Sequence, residues 1–211
     1  MEKLVLTANQ IYTIAYIMKA HSIDAFYINR VDRPANDQLW LSENTKQLVS
    51  QGMLVEDFSG ELSIDSDIEN LLKPLFFSEK ESSLEIITVG DNENNLTYRF
   101  HYSDTGIVMT KTVDGKFEMA YVASDDINHI VESILPPSYE AESTEVSIDF
   151  IKEKVSRFII AKNINMGDGN QTSVFVEYDG LVYEGDTDNK LFTVSRKDFI
   201  KKITLILSEV G

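Results

Sequence analysis

Two stretches of the chain, 84–135 and 158–207, repeat one another, and this internal duplication constrains the possible folds more than any single motif. Gly106-Ile107-Val108 aligns with Gly180-Leu181-Val182, and Asp114-Gly115-Lys116-Phe117 with Asp188-Asn189-Lys190-Leu191, at one constant offset. After a two-residue deletion, Val122, Asp126 and Ile127 align with Val194, Asp198 and Phe199. Each copy reads as a run of strands closed by a short amphipathic helix. The first has strand patterns at 84–89, 96–102, 106–112 and 117–122, with turn chemistry at Asp104-Thr105-Gly106 and Asp114-Gly115, and a helix over 124–135. The second has strands at 158–161, 173–178, 180–184 and 191–194, then a helix from Ser195 that turns Phe199, Ile203, Ile206 and Leu207 inward. The expected fold class is α+β: a pseudo-twofold body of two related halves, each an antiparallel sheet packed with helices.

Ahead of the first copy the periodicity changes. Leu4-Val5-Leu6 is strand-like, Thr7 and Gln10 form a capping-box pattern, and Ile11, Ile14, Ala15 and Met18 predict a helix over 8–20. Residues 25–31 read as extended, and Arg33-Pro34 as a turn. A helix over 36–50 stops at Gln51-Gly52, a hairpin follows around Phe58-Ser59-Gly60, and Ile68, Leu71, Leu72 and Leu75 mark a helix over 66–76. Helix, glycine, hairpin is the spacing of a winged helix, so the N-terminal segment is winged-helix-like. Its presumed recognition helix has one basic residue, Lys46, against Asp37 and Glu43, and its wing carries Glu56, Asp57 and Glu61. Phosphate contacts need Lys and Arg, so the segment reads as a cap and not as a DNA reader. Pro136-Pro137 and the polar run after it form the linker, with Val146, Phe150, Ile151 and Val155 as a helix beyond. The expected halves are therefore 1–137, made of the segment 1–80 and the repeat 84–135, and 138–211, which holds the repeat 158–207.

The chemistry that the chain can support is narrow. No cysteine is present, which removes disulfides, thiolate catalysis and Cys-ligated metals together. His21, His101 and His129 are scattered, which argues against a zinc site. No nucleophile elbow, phosphate loop or dinucleotide fingerprint occurs. Asp186 and Asp188 begin a calcium-loop pattern that Lys190 breaks, and Asp91, Glu93 and Asn95 lack the glycine that such a loop needs where Leu96 stands. Gly167-Asp168-Gly169-Asn170 is accounted for by a polar turn. No catalytic, cofactor or metal residue is assigned, and no enzyme is expected. Thirty-five acidic against 19 basic residues give a net charge of -16, which repels nucleic acid and anionic membrane surfaces. No basic leader pattern and no apolar run of the ~20 residues that span a bilayer occur, so a cytoplasmic protein without membrane insertion is expected.

Three groups of residues, taken with the order of elements, carry a family resemblance. Leu6-Thr7 opening a helix, Leu48-Val49-Ser50-Gln51-Gly52-Met53-Leu54, and Gly185-Asp186-Thr187-Asp188 with Phe192-Thr193-Val194 resemble the EspG family of cytoplasmic chaperones of type VII (ESX) secretion systems. The resemblance spans nearly the whole chain through short motifs. It implies a pseudo-twofold α+β fold and a protein that covers the aggregation-prone tip of a helical secretion substrate, keeping it soluble in the cytosol until export. It also implies that the loop between the first two strands of the first copy, Gly90, Asp91, Asn92, Glu93, Asn94 and Asn95, contacts the partner together with the last helix and its neighbouring strands. Leu191-Phe192 stands where the family has a Trp, and Asn189-Lys190 where an arginine is common. The helical partner therefore stays open between a WXG100-like or LXG-type effector and a PE–PPE-like pair. The alternative is an acidic interaction protein of another kind, an immunity or adaptor protein; a winged-helix regulator needs a basic face that the composition does not supply.

Overall fold

Thr7 opens the first helix through a complete capping box: its N–H donates to Gln10 Oε1 at 2.9 Å, and its hydroxyl accepts from Gln10 N at 3.2 Å. The computed structural model describes residues 3–32, 37–91, 95–136, 138–142, 144–146, 155–165, 170–185 and 190–208. It divides into two compact units, Met1–Ser78 with Thr112–Tyr121, and Glu79–Lys111 with Val122–Gly211.

Unit 1 holds, numbered in chain order, β1 (Leu4–Leu6), α1 (Ala8–Ile17), α2 (Ala25–Ile28), α3 (Asp37–Ser50), β2 (Leu54–Glu56), β3 (Leu62–Ile64), α4 (Ser66–Phe77) and β7 (Lys116–Val122). β1 pairs antiparallel with β7, so that Leu6 lies opposite Phe117 and Leu4 opposite Met119. Leu6, Phe117 and Met119 are fully buried. The first helix stops short of the expected residue 20 because Lys19 turns left-handed (φ 54°) and Ala20 N closes on Ala15 O at 2.9 Å. Residues 25–28, expected to be extended, form a helical turn instead. Asp24 Oδ1 accepts from Phe26 N at 2.6 Å, and the rings of Phe26 and Tyr27 meet Phe117 edge-on at 5.3 and 5.0 Å, so tertiary aromatic packing overrides the local β preference. Gly52, at φ 72°, ends α3 ahead of the hairpin β2–β3. Phe76 is buried and Phe77 is exposed, so the pair divides between core and surface.

Unit 2 holds β4 (Lys80–Thr88), β5 (Leu96–Ser103), β6 (Gly106–Val113), α5 (Ser124–Ile134), β8 (Glu145–Val146), β9 (Arg157–Asn165), β10 (Gln171–Tyr178), β11 (Leu181–Gly185), β12 (Leu191–Thr193) and α6 (Arg196–Ser208). Its strands lie in the order β6-β5-β4-β9-β10-β11-β12-β8, with antiparallel neighbours throughout. Ile127, Val131, Ile134 and Leu135 from the first copy and Phe199, Ile203, Ile206 and Leu207 from the second share one core with Leu84, Ile86, Phe100, Ile159, Phe175 and Val182 of the sheet. Those two helical sets keep the alignment read from sequence.

The glycines do not. Ser103 pairs with Gly106 across the loop Asp104-Thr105, whereas Tyr178 pairs with Leu181 across the loop Asp179-Gly180, whose residues have φ 50° and 74°. Gly180 thus sits inside its turn and Gly106 just after its own. Because side chains alternate with period two, this one-residue difference puts Ile107, and not Val108, on the face taken by Val182. Two further expectations are corrected. Val146 is in the edge strand β8 opposite Leu191, and Val155 is in neither helix nor strand; residues 147–154 between them lie outside the described residues. The segment read as a linker is packed: Tyr139 is buried, donating to Val194 O at 2.7 Å and accepting from Val182 N at 3.1 Å.

The far end of α6 is tied to the sheet by Tyr102. Its hydroxyl donates to Leu207 O, and Ser82 Oγ lies 2.8 Å from the same hydroxyl and 3.2 Å from the same carbonyl. Burial pushes the Tyr102 pKa up to about 12, with the Ser82 hydrogen bond opposing the shift. The unfolded chain releases this proton near pH 10. Stability held by Tyr102 is therefore intact below that pH and falls as the pH climbs from about 10 to about 12, by at most about 3 kcal/mol. Burial raises Tyr139 and Tyr183 in the same direction. Unfolding free energy measured against pH from 9 to 12 should decline, with a shallower slope in Tyr102→Phe; equal slopes would show that Tyr102 does not carry the effect.

Candidate functional site

The loop of interest leaves β4 at Thr88 and enters β5 at Leu96. Its stem is fixed on both sides. Thr88 N donates to Asn95 Oδ1 at 2.8 Å, and Val89 N donates to Ser156 O at 2.9 Å. Gly90, at φ 81°, makes the turn out of the strand in a conformation that L side chains rarely adopt. Val89 is half exposed beside it, and Asp91 N closes on Thr88 O at 3.4 Å. Of the residues expected to meet a partner, Gly90, Asp91 and Asn95 are thus placed at the end of the sheet; Asn92, Glu93 and Asn94 lie outside the described residues.

Two arginines that sequence reasoning did not single out organise the ground next to this loop. Thr88 pairs with Arg157 across the ladder. The Arg157 guanidinium meets Glu177, with Nε 3.0 Å from Oε2, and its Nη2 reaches Ile134 O at 3.3 Å. Arg196, at the start of α6, donates to Glu132 O at 2.9 Å, Leu135 O at 3.2 Å and Pro136 O at 2.6 Å. A helix end leaves carbonyls without intrahelical partners and carries partial negative charge, and cations there satisfy both. Pro136-Pro137 marks such an end in the sequence, but nothing in the sequence says which distant cation will reach it.

The same hydrogen bonds place the last helix relative to the loop. The start of α6 adjoins the end of α5 near Thr88, whereas Leu207 is held at Ser82, six residues back along β4 and so about 20 Å away. The loop and the beginning of α6 share one end of the sheet; the end of α6 belongs to the other. A cavity of about 460 Å³ opens beside that beginning, lined by Glu184, Phe192, Thr193, Ser195, Asp198 and Lys202 among others. Ser195 and Asp198 face each other there: Ser195 Oγ donates to Asp198 Oδ2 at 2.7 Å and accepts from Asp198 N at 3.1 Å. This reciprocal pair caps the helix, and Lys202 pairs with Glu184, so the polar groups of the cavity are mutually satisfied.

No described histidine lines this cavity. His101 is buried, with Nδ1 3.9 Å from Glu81 Oε2, and Glu81 is also paired with Arg99. His129 is exposed beside Glu132 at 3.6 Å, and His21 is exposed. Among the described residues no three His, Cys, Asp or Glu side chains are grouped to hold a metal ion, and no helix is long and apolar enough to cross a membrane. The aspartates and glycines weighed as ligand loops at 167–169 and at 186 and 188 lie outside the described residues.

If Arg196 supplies the missing partners of α5, replacing it with Met should lower stability by about 1–2 kcal/mol, the value of charge-assisted bonds discounted for partial exposure. Urea unfolding should show a lower midpoint at unchanged slope; an unchanged midpoint would mean that solvent serves those carbonyls equally well.

No protein-family model matches the chain, and no curated protein matches it. Among solved structures it is similar to the type VII secretion system chaperone EspG5 of Mycobacterium tuberculosis, determined in complex with a PE25–PPE41 dimer, with a TM-score of 0.65 over 99% of this chain and 98% of that one at 10% identity. At that identity the likeness is one of fold, a mixed α+β arrangement with a large antiparallel sheet.

Proposed function

We propose that this chain is a cytoplasmic chaperone that binds the helical tip of a type VII secretion substrate and keeps it soluble before export. The observation that carries this reading is the fold shared along nearly its whole length with a type VII secretion system chaperone determined in complex with a PE25–PPE41 dimer. The short motifs read from the sequence point the same way. The partner is a helical secreted protein, PE–PPE-like or of the WXG100 or LXG type, and the chain has no catalytic role. Its contact site is the loop of Gly90, Asp91, Asn92, Glu93, Asn94 and Asn95 with the adjoining start of α6. Support for that placement is a rigid stem, an exposed Val89 and a loop that can change without disturbing the strands.

The architecture proposed for this task is a pseudo-twofold body with halves 1–137 and 138–211 and a winged-helix-like segment at the N-terminus. Support for the twofold is the succession of strands outward from β4 and β9, together with the matched buried positions of α5 and α6. Apolar contacts with the partner's helix supply most of the affinity, and the loop selects the partner.

Co-expression with each helical effector encoded beside the chain tests the reading. A stable complex should co-elute in size exclusion, and deletion of Asn92 to Asn94 should weaken it at least tenfold while leaving the melting temperature within a few degrees. Failure of every such effector to co-elute would remove the chaperone assignment; a complex indifferent to the deletion would remove the site alone.

A further inference from the structure

The hairpin β2–β3 carries an aromatic side chain at its tip, where a turn needs none. Phe58 is exposed over its entire side chain, at 113% of the reference area. The turn that presents it is heavily bonded. Asp57 Oδ1 accepts from Ser59 N at 2.8 Å, Ser59 Oγ at 2.7 Å and Glu61 N at 2.8 Å, while Asp57 N donates to Glu61 O and Gly60 N to Asp57 O, each at 3.0 Å. Gly60 supplies the left-handed residue at φ 80°. These donors, the Ser59 hydroxyl foremost, hold the Asp57 carboxyl below the usual carboxylate range. Asp, Ser and Gly are each explained by the turn. Phe58 is not: a polar residue would serve the turn equally, and the phenyl ring gains no burial where it stands.

A large aromatic ring on a pre-ordered turn is the form that an interface anchor takes. The backbone is already fixed and the side chain has two torsions to lose, so little ordering cost remains on binding. Its surroundings state the partner's chemistry. Glu56, Asp57 and Glu61 are all exposed around it, and the sequence has no basic residue between Lys46 and Lys73. An anionic lipid surface or a nucleic acid would be repelled by this collar, and so would the same tip on a second copy of an acidic chain. A protein surface that offers an apolar pocket within a basic rim is complementary in both shape and charge.

We propose that the tip of the β2–β3 hairpin is a protein-docking anchor: Phe58 fills an apolar socket on a partner protein whose rim of lysine or arginine side chains meets Glu56, Asp57 and Glu61. This surface belongs to unit 1 and the loop of 90–95 to unit 2, and the proposal does not rest on the chaperone reading.

A photo-crosslinking residue, p-benzoylphenylalanine, placed at position 58 of the full chain in its source cells tests this, with the same residue at exposed Val174 as the control. The protein joined at position 58 is then purified and titrated against the unaltered chain, Phe58→Ala and the double variant Glu56→Gln, Glu61→Gln, each at low and high salt. The expected result is a protein adduct specific to position 58, crosslinked within a basic, apolar region. Its affinity should fall at least tenfold in Phe58→Ala, about 1.4 kcal/mol. It should fall with salt in the unaltered chain, and less steeply in the double variant. Thermal unfolding of the variants, which touch only exposed side chains, should be unchanged. Adducts with lipid, with nucleic acid or with another copy of the chain overturn the proposal, as does no adduct beyond that of the control. Equal affinity of Phe58→Ala, or affinity indifferent to both salt and the carboxylates, overturns it too. Retention of a helical effector by Phe58→Ala separates this outcome from failure of the chaperone reading.

Discussion

Nine consecutive residue pairs join β4 to β9, from Lys80 opposite Asn165 to Thr88 opposite Arg157, and unit 2 is built outward from that ladder. It pairs strands that are far apart in sequence, so its closure entropy is paid before most local contacts repay it. Its register is set by chemistry on both faces. Leu84 and Ile86 lie opposite Ala161 and Ile159 in the core, while Glu85 on the other face is paired with Lys162 at 3.1 Å. A slip of one residue would exchange the faces, burying Glu85 and Lys162 and exposing the apolar set, which is why alternatives are excluded. Only with this ladder in place do α5 and α6 have a common floor, and only then do Arg157 and Arg196 reach the carbonyls at the end of α5.

What the sequence revealed follows from which signals are local. The apolar spacing at Ile127, Val131 and Ile134 and at Phe199, Ile203 and Ile206 is a property of each helix alone, and it located both buried faces. The capping pair Thr7 and Gln10 is equally local. Matching Gly106 to Gly180 failed by one residue because glycine marks a turn's neighbourhood and not its phase. The aligned Val108 and Val182 consequently face opposite sides of the sheet, since Val108 is paired with His101 and Val182 with Glu177. Tyr27 and Tyr139 were misjudged for a different reason. Both lie in segments of weak local preference, and both are fixed by partners distant in the chain: Phe117 for one, Val182 and Val194 for the other. Val146 had an apolar spacing that suited a helix, but its strand pairing with Leu191 is a long-range fact.

The end of the sheet that holds Thr88, Arg157 and Arg196 was only half legible. The glycine and asparagines of the loop announce a turn, and the family resemblance gave that turn a role. The arginines carried no such signal, because an Arg near a strand or helix start is ordinary until its acceptor is known. Their effect is to make the platform stiff while the loop it carries is short and polar. In the nearby cavity the polar groups, Ser195 with Asp198 and Lys202 with Glu184, satisfy one another.

The charge of -16 opposes the compact state through self-repulsion. Among the described residues Arg157 pairs with Glu177, Arg99 with Glu81, Lys162 with Glu85 and Lys202 with Glu184, and an exposed pair such as Lys3 with Glu118 adds little. Other carboxylates serve caps and turns, as Asp24, Asp57 and Asp198 do. Around Phe58 they leave an apolar side chain framed by like charge. Core positions in this chain are under constraints of volume and alternation that many sequences meet, which is how a fold persists while identities drift. Those constraints do not reach the hairpin tip, where Phe58 is exposed. There, and at the stem of the loop after Thr88, the backbone is held by hydrogen bonds close to the surface, so that exposed side chains can change without cost to the strands behind them.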